Sequence, residues 1–254
     1  MPTVLVVSSH VATGDVGGTA QVTLLARAGF ETVFTPTVLF GRHPGHGPPG
    51  GAPVGALVLA GMLEGVDAQG VFTTLDAVIL GYFASAEQAA IAARTVDRIR
   101  AVNPRARIIV DPVMGDFGTG LYVKPAVAHA IAADLVPRAD LVAPNAWELA
   151  RLTDRTIDNP ASALAAARLL GSPVLASSVT VGPEIGVLYV DEGGAWLAAH
   201  RRMDDVPNGT GDLLTALFTA ALVQGKSGAD AVESAVGYLA RRFADSTVRI
   251  ERMA

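Results

Sequence analysis

In Ile108-Ile109-Val110-Asp111-Pro112-Val113-Met114-Gly115-Asp116, three consecutive branched apolar residues lead straight into two carboxylates. A strand that is apolar at successive positions, without alternation, is buried on both faces, which is the condition of a parallel sheet covered by helices. Similar runs occur at Val4 to Val7, Thr32 to Leu39, Ala77 to Leu80, Leu141 to Ala143 and Val174 to Ser177. Between them the spacing predicts helices at Gly17 to Ala28, Val54 to Gly65, Ala86 to Val102, Pro125 to Leu135, Ala146 to Leu152 and Ala161 to Leu170. Alternating strand and helix makes the chain α/β, with a central mostly parallel sheet. Two more strands flank the turn Asp191-Glu192-Gly193-Gly194 within Gly186 to Trp196, and helices at Asp212 to Val223 and Gly228 to Ala244 follow. No break in composition separates two domains, so residues 1–254 read as one.

Composition narrows the function. With 19 basic and 24 acidic side chains the net charge is −5 over 254 residues, which argues against a general polyanion binder. Charged residues are 17% of the chain, below the usual share of about 25%, so part of the surface is expected to be covered by a partner. There is no cysteine, so oxygen and nitrogen groups must carry any chemistry. Met1 to His10 lacks the basic start of a secretory signal and reads as a strand. The apolar stretches Val54 to Leu63 and Leu213 to Val223 are shorter than the roughly 20 residues a membrane span needs, so a cytoplasmic protein is expected.

Three polar clusters follow strands or open helices. Pro207-Asn208-Gly209-Thr210-Gly211-Asp212 precedes an apolar helix, whose unpaired N–H groups and positive dipole end make an anion site. Asp212 there reads either as a first-turn carboxylate complementing the dipole or as a base beside a transferring phosphoryl group. Asp111 and Asp116 lie where an open α/β sheet binds its ligands, and could hold Mg²⁺ against phosphates; Asp-Pro could equally begin a turn. In Ala143-Pro144-Asn145-Ala146-Trp147-Glu148 the Asn and Glu have the spacing of a capping box, which local structure alone would explain. Such clusters at successive strand ends are what a nucleotide crevice requires.

From Gly41 to Pro53, eleven of thirteen residues are Gly, Pro or His, which reads as a surface linker or a lid over substrate; its place after a strand favours the lid. Gly45-His46-Gly47-Pro48-Pro49-Gly50 fits a dinucleotide fingerprint only formally, because two prolines and no helix start follow. Gly225-Lys226-Ser227 ends a helix instead of opening one, so it is not a P-loop. His43 and His46 have metal-like spacing without a neighbouring carboxylate, and read as exposed loop residues.

Taken together, Ser9-His10-Val11 with Gly14 and Val16-Gly17, Thr37-Val38, Gly81-Tyr82, Asp111 to Asp116, Leu121-Tyr122-Val123, Pro144-Asn145 with Glu148, Ser177-Ser178 and Gly209 to Asp212 resemble the pyridoxal kinases of the ribokinase superfamily from about Val4 to about Gly225. The resemblance implies a ribokinase-like three-layer α/β/α sandwich that phosphorylates the 5′-hydroxymethyl group of pyridoxal, pyridoxine or pyridoxamine with ATP. It implies that Asp212 accepts the hydroxyl proton while the amides of Gly209, Thr210 and Gly211 hold the γ-phosphoryl charge. Asn145, Ser177 and Ser178 would lie along the nucleotide, with Asp111, Asp116 and Glu148 serving Mg²⁺ and a monovalent cation such as K⁺. Ser9, Val16, Val38 and Tyr82 would form the ring pocket, and a homodimer with each site complete in one subunit is implied.

The chain departs from the family's pattern in the segment Gly41 to Pro49, where the ring-covering contacts usually lie, and His46 is the candidate to replace them. Gly18 stands where many relatives have Asn, and Ala143 leaves only a main-chain carbonyl for a monovalent cation at that position. Two other readings compete: a kinase of hydroxymethylpyrimidine or its phosphate, for which Ser8-Ser9-His10-Val11 is poor in Gly and Asp, and a kinase relic that binds vitamer without turnover, against which Gly209, Gly211 and Asp212 speak.

Overall fold

A computed structural model describes residues 1–203, 207–244 and 247–253. The first strand, β1 (Thr3–Val11), shows why the chain folds in layers. Val4 and Val6 pack into one apolar cluster and Leu5 and Val7 into another, all of them shielded from solvent. Successive strand residues point to opposite faces, so such a run needs helices on both sides. Burial of each of these side chains contributes roughly 1.5–3 kcal/mol.

The chain continues through α1 (Gly17–Arg27), β2 (Glu31–Phe40), β3 (Gly51–Pro53), α2 (Ala56–Ala68), β4 (Ala77–Leu80), α3 (Ala86–Val102), β5 (Arg107–Val110), β6 (Gly115–Asp116), β7 (Gly120–Leu121) and α4 (Pro125–Ala130). There follow β8 (Leu141–Val142), α5 (Ala146–Thr153), α6 (Pro160–Ala167), β9 (Val174–Val181), β10 (Glu184–Asp191), β11 (Gly194–Arg201), α7 (Thr210–Val223), α8 (Gly228–Leu239) and β12 (Arg249–Met253). Ten strands form one sheet in the order β12-β11-β10-β9-β8-β5-β4-β1-β2-β3. From β2 to β9 every pairing is parallel, and β3 at one edge and β10 to β12 at the other are antiparallel. Helices α1, α7 and α8 cover one face; α2 to α6 cover the other. The expected three-layer α/β/α sandwich is therefore present, and the parallel strands end together at one rim.

Three details differ from the sequence reading. The segment Gly41 to Pro53 is ordered: Pro44–His46 forms a 3₁₀ turn and β3 pairs with the end of β2. Helical turns that begin as α at Pro125 and Gly228 end as wider π turns at Ile131–Leu135 and Ala240–Ala244. The hairpin strands are longer than Gly186 to Trp196, and β12 adds a fourth antiparallel member, its Arg249, Glu251 and Arg252 giving a charged edge.

Candidate active site

The nucleotide side is built on strand ends. Asp111, the residue after β5, is buried, and its Oδ2 accepts a 2.8 Å hydrogen bond from the Thr215 hydroxyl of α7. Asp116 lies on the small β6–β7 hairpin and accepts at 2.6 Å from the Thr119 amide, so it shapes that exposed turn. Asn145 and Glu148 form the capping box of α5, Asn145 accepting from the Glu148 amide and Glu148 from the Asn145 amide, both at 2.9 Å. Glu148 does more than cap: its Oε1 accepts from the Met114 amide at 2.8 Å, and Asn145 donates to the Gly115 carbonyl at 2.8 Å. These two side chains thus fasten the β6–β7 hairpin to α5. Ser177 bridges to Asn145 across the sheet, and Ser178 beside it takes the left-handed φ of 59°, with its side chain exposed.

The anion loop is set by Gly209, the N-cap of α7, at φ 89°. A side chain there would strike the carbonyl of Asp15 and the backbone of Val16, so glycine is required by both conformation and contact. Thr210, Gly211 and Asp212 occupy the first turn, where the amides have no intrahelical acceptors. Among the described residues no side chain caps this helix. Asp212 instead accepts a 2.8 Å hydrogen bond from the amide of Gly17, 195 residues away. That contact ties the carboxylate to the loop after β1, in addition to its place at the positive end of the α7 dipole.

Electrostatics mark the cluster. Burial raises the Glu148 carboxyl to about 8, and Asp111 adds to the shift. Burial raises Asp111 too, with the Asp212 charge second, and burial raises Asp212 against the opposing Gly17 hydrogen bond. The groups that act on these three are one another, main-chain amides and Thr215, with no lysine or arginine among them. A buried acidic group without a basic partner suits a cation. Among the described residues no three His, Asp or Glu side chains close into a metal site. Asp111 and Glu148, fixed by the Thr215 hydroxyl and by main-chain amides, are the residues that would hold such a cation, and it would supply positive charge beside a phosphate.

The other side of the crevice is made of loops. Gly17, at φ 61°, lies against Ser9, where a Cβ would meet the Ser9 hydroxyl. Ser9, Val16 and Val38 are buried; Tyr82 is partly buried, and burial raises its phenol. Thr37 donates to the Tyr82 carbonyl at 2.6 Å, joining β2 to the end of β4. A cavity of about 500 Å³ opens between Val16, Asn208, Leu213, His43 and His46. Ser9, Val38 and Tyr82 do not line it, so of the ring-pocket candidates only Val16 and His46 meet there. The 3₁₀ turn of Gly41 to Pro53 comes close to the anion loop: a side chain at Gly45 would lie 3.6 Å from the Asn208 amide nitrogen. His43 and His46 are neighbours, with ring centroids 6.0 Å apart, and His43 accepts from the Gly45 amide at 3.1 Å. Burial and then His46 lower the His43 imidazole.

Three residues join the site that sequence reasoning did not assign to it. Thr215, three positions after Asp212 on the same face of α7, is surrounded in the sequence by apolar residues that hide it. Gly17 supplies an amide, which no side-chain motif reports. Burial and the charges of Glu148, Asp111, Asp116 and Asp212 all raise the Tyr122 phenol, so it stands near all four carboxylates; its place in Leu121-Tyr122-Val123 was the available signal.

Known proteins resemble this chain over most of its length. A family model described as phosphomethylpyrimidine kinase matches residues 67–253. The pyridoxine/pyridoxal/pyridoxamine kinase of Bordetella avium is 36% identical over 249 residues, covering 95% of this chain and 84% of that protein. Pyridoxal kinase PdxY of Deinococcus radiodurans is 38% identical over 229 residues, covering 85% of this chain and 77% of that protein. The pyridoxal kinase of Leishmania donovani, solved in complex with ADP and pyridoxamine, superposes with a TM-score of 0.86 at 27% identity, covering 94% of this chain and 88% of that one. With relatives at 36–38% identity matched over 85–95% of this chain, the chain belongs to the pyridoxal kinase family of ribokinase-like proteins.

Proposed function

We propose that this protein transfers the γ-phosphoryl group of ATP to the 5′-hydroxymethyl group of pyridoxal, pyridoxine or pyridoxamine. The observation that carries the reading is the Gly17–Asp212 hydrogen bond, which joins the loop bearing Val16 to the first turn of α7. An acceptor held against Val16 would present its hydroxyl to Asp212, while the amides of Gly209, Thr210 and Gly211 face the migrating phosphoryl charge. Burial makes Asp212 a stronger base than a solvated carboxylate, and the proton need leave only late in a loose transition state. Asn145 follows β8, Ser177 and Ser178 lie beside it within β9, and the three suit the nucleotide.

Asp111, Asp116 and Glu148 would serve Mg²⁺ and a monovalent cation such as K⁺, directly or through water; Mg²⁺, when bound, neutralises phosphate charge. A homodimer in the cytoplasm completes the reading. Among the described residues no helix is long and apolar enough to cross a membrane. Exposed Leu57 and Val58 on α2 offer an apolar surface for a second copy.

The family model's description supports a second reading, phosphorylation of hydroxymethylpyrimidine or its phosphate. A coupled ADP-release assay with pyridoxal, pyridoxine, pyridoxamine and hydroxymethylpyrimidine decides. Turnover confined to the three vitamers is the expected result, preference for the pyrimidine favours the second reading, and tight vitamer binding without any turnover makes the protein a relic.

A further inference from the structure

The loop Ala12 to Gly18 has two unlike parts. Ala12 to Asp15 are exposed, and Val16 to Gly18 are buried against the site. Gly14, Gly17 and Gly18 leave its backbone little intrinsic stiffness, Gly14 and Gly17 at positive φ. The loop touches both the anion loop and the base: the Asp15 carbonyl and Val16 backbone lie against Gly209, and the Gly17 amide donates to Asp212. Something must hold the exposed part. The Asp15 side chain accepts a 2.7 Å hydrogen bond from Arg242, 227 residues further on, in the π turn that ends α8. Arg242 also donates to the Tyr238 hydroxyl at 3.3 Å and lies 5.0 Å over the ring of Phe243. Phe243 in turn lines the cavity that holds Val16, Asn208 and His46.

We infer that Arg242 is a positioning residue for the acceptor side of the site: from the end of α8 it clamps Asp15 and so holds the loop that carries Val16 and the Gly17 amide. The motifs that identify the family stop at Asp212, so nothing in them points to this segment. The ion pair is solvent-accessible on both sides, with 34% and 62% of the two side chains exposed, and pairs of that kind add little to global stability. Its effect falls instead on a glycine-rich loop, where holding one conformation ahead of binding lowers the ordering cost an acceptor must meet. The inference rests on the reading that Val16 and Asp212 face the acceptor.

The test uses the full-length protein and the acceptor that the assay panel identifies. Arg242→Gln and Asp15→Asn should each raise acceptor KM about fivefold, the equivalent of about 1 kcal/mol for one such pair, with kcat within about twofold and ATP KM unchanged. The double variant should be no worse than either single one, Arg242→Lys should keep most of the wild-type KM, and exchanging the charges, Asp15→Arg with Arg242→Asp, should recover part of the loss. An unchanged acceptor KM in both single variants overturns the inference. So does a loss shared equally by acceptor KM, ATP KM and melting temperature, or an additive double variant. None of these results touches the assignment of Asp212, which kcat of its own variants decides.

Discussion

The two walls of the crevice are made in opposite ways. Toward the nucleotide, Asp111 and Glu148 are buried and fixed by main-chain amides or a hydroxyl from neighbouring elements, so each charge has one position. Toward the acceptor, the wall is loop: Ala12 to Asp15 and most of Gly41 to Gly50 are exposed, and their contacts are few. Phosphoryl transfer needs fixed charges and fixed donors, which rigid strand ends and a helix start provide. Acceptor choice needs shape, which loops vary without disturbing a sheet. Substitutions on the first wall should therefore act on kcat or on stability, and substitutions on the second on acceptor KM.

The largest effect is expected at the residue that belongs to both walls. Asp212→Asn should lower kcat by at least about 10²-fold, the usual scale of general-base effects, while ATP still binds. Single-turnover phosphorylation with and without the substitution measures it, and full turnover would remove Asp212 from the chemistry. Thr215→Val, nearly isosteric, removes the hydroxyl that fixes Asp111. A reduction of about tenfold in kcat/KM for ATP is expected, matching the roughly 0.5–1.5 kcal/mol of one hydrogen bond at its upper end. If acceptor KM moved instead, the division between the walls would be wrong.

The buried carboxylates also give the cation-free protein a pH dependence. Glu148 titrates near 8 in the folded state against an ordinary value near 4.3. The folded protein therefore holds a proton that the unfolded chain has released, and stability falls as pH rises between those values, by up to about 1.4 kcal/mol per pH unit for one proton. Thermal melts in chelator from pH 5 to 8 should show Tm falling, and Glu148→Gln should flatten the slope. A Tm that rises over this range would contradict the buried, unpaired state of the cluster.

Legibility followed the same division. The strands at Val4 to Val7 and Ala77 to Leu80 were plain because consecutive apolar residues have few alternatives to a sheet buried on both faces. Asp111, Glu148 and Asp212 were readable because each follows or opens an element whose end is visible in the sequence. The edges were not: β3 is Gly-Ala-Pro, which strand propensity disfavours, and β12 is mostly charged. Thr215 sits among apolar residues of α7 and reads as core until the fold brings it to Asp111. The bonds from Gly17 to Asp212 and from Arg242 to Asp15 cross 195 and 227 residues, distances over which no periodicity carries information.

The smallest effect belongs to the loop Gly41 to Gly50, and it tests the division between the walls most closely. His46 is exposed, lines the cavity beside Val16, and sits on a turn whose Gly45 comes close to Asn208. It touches no carboxylate of the nucleotide wall among the described hydrogen bonds. Its imidazole could stack on a pyridine ring or donate to it, an interaction that at a solvent-open site is worth about 1 kcal/mol. His46→Ala should therefore raise acceptor KM by about three- to fivefold and leave kcat and ATP KM as they are. Steady-state kinetics with each vitamer give the answer. An unchanged KM removes His46 from ring recognition, whereas a fall in kcat would mean that this loop acts through Asn208 on the anion loop, and that the two walls are not independent.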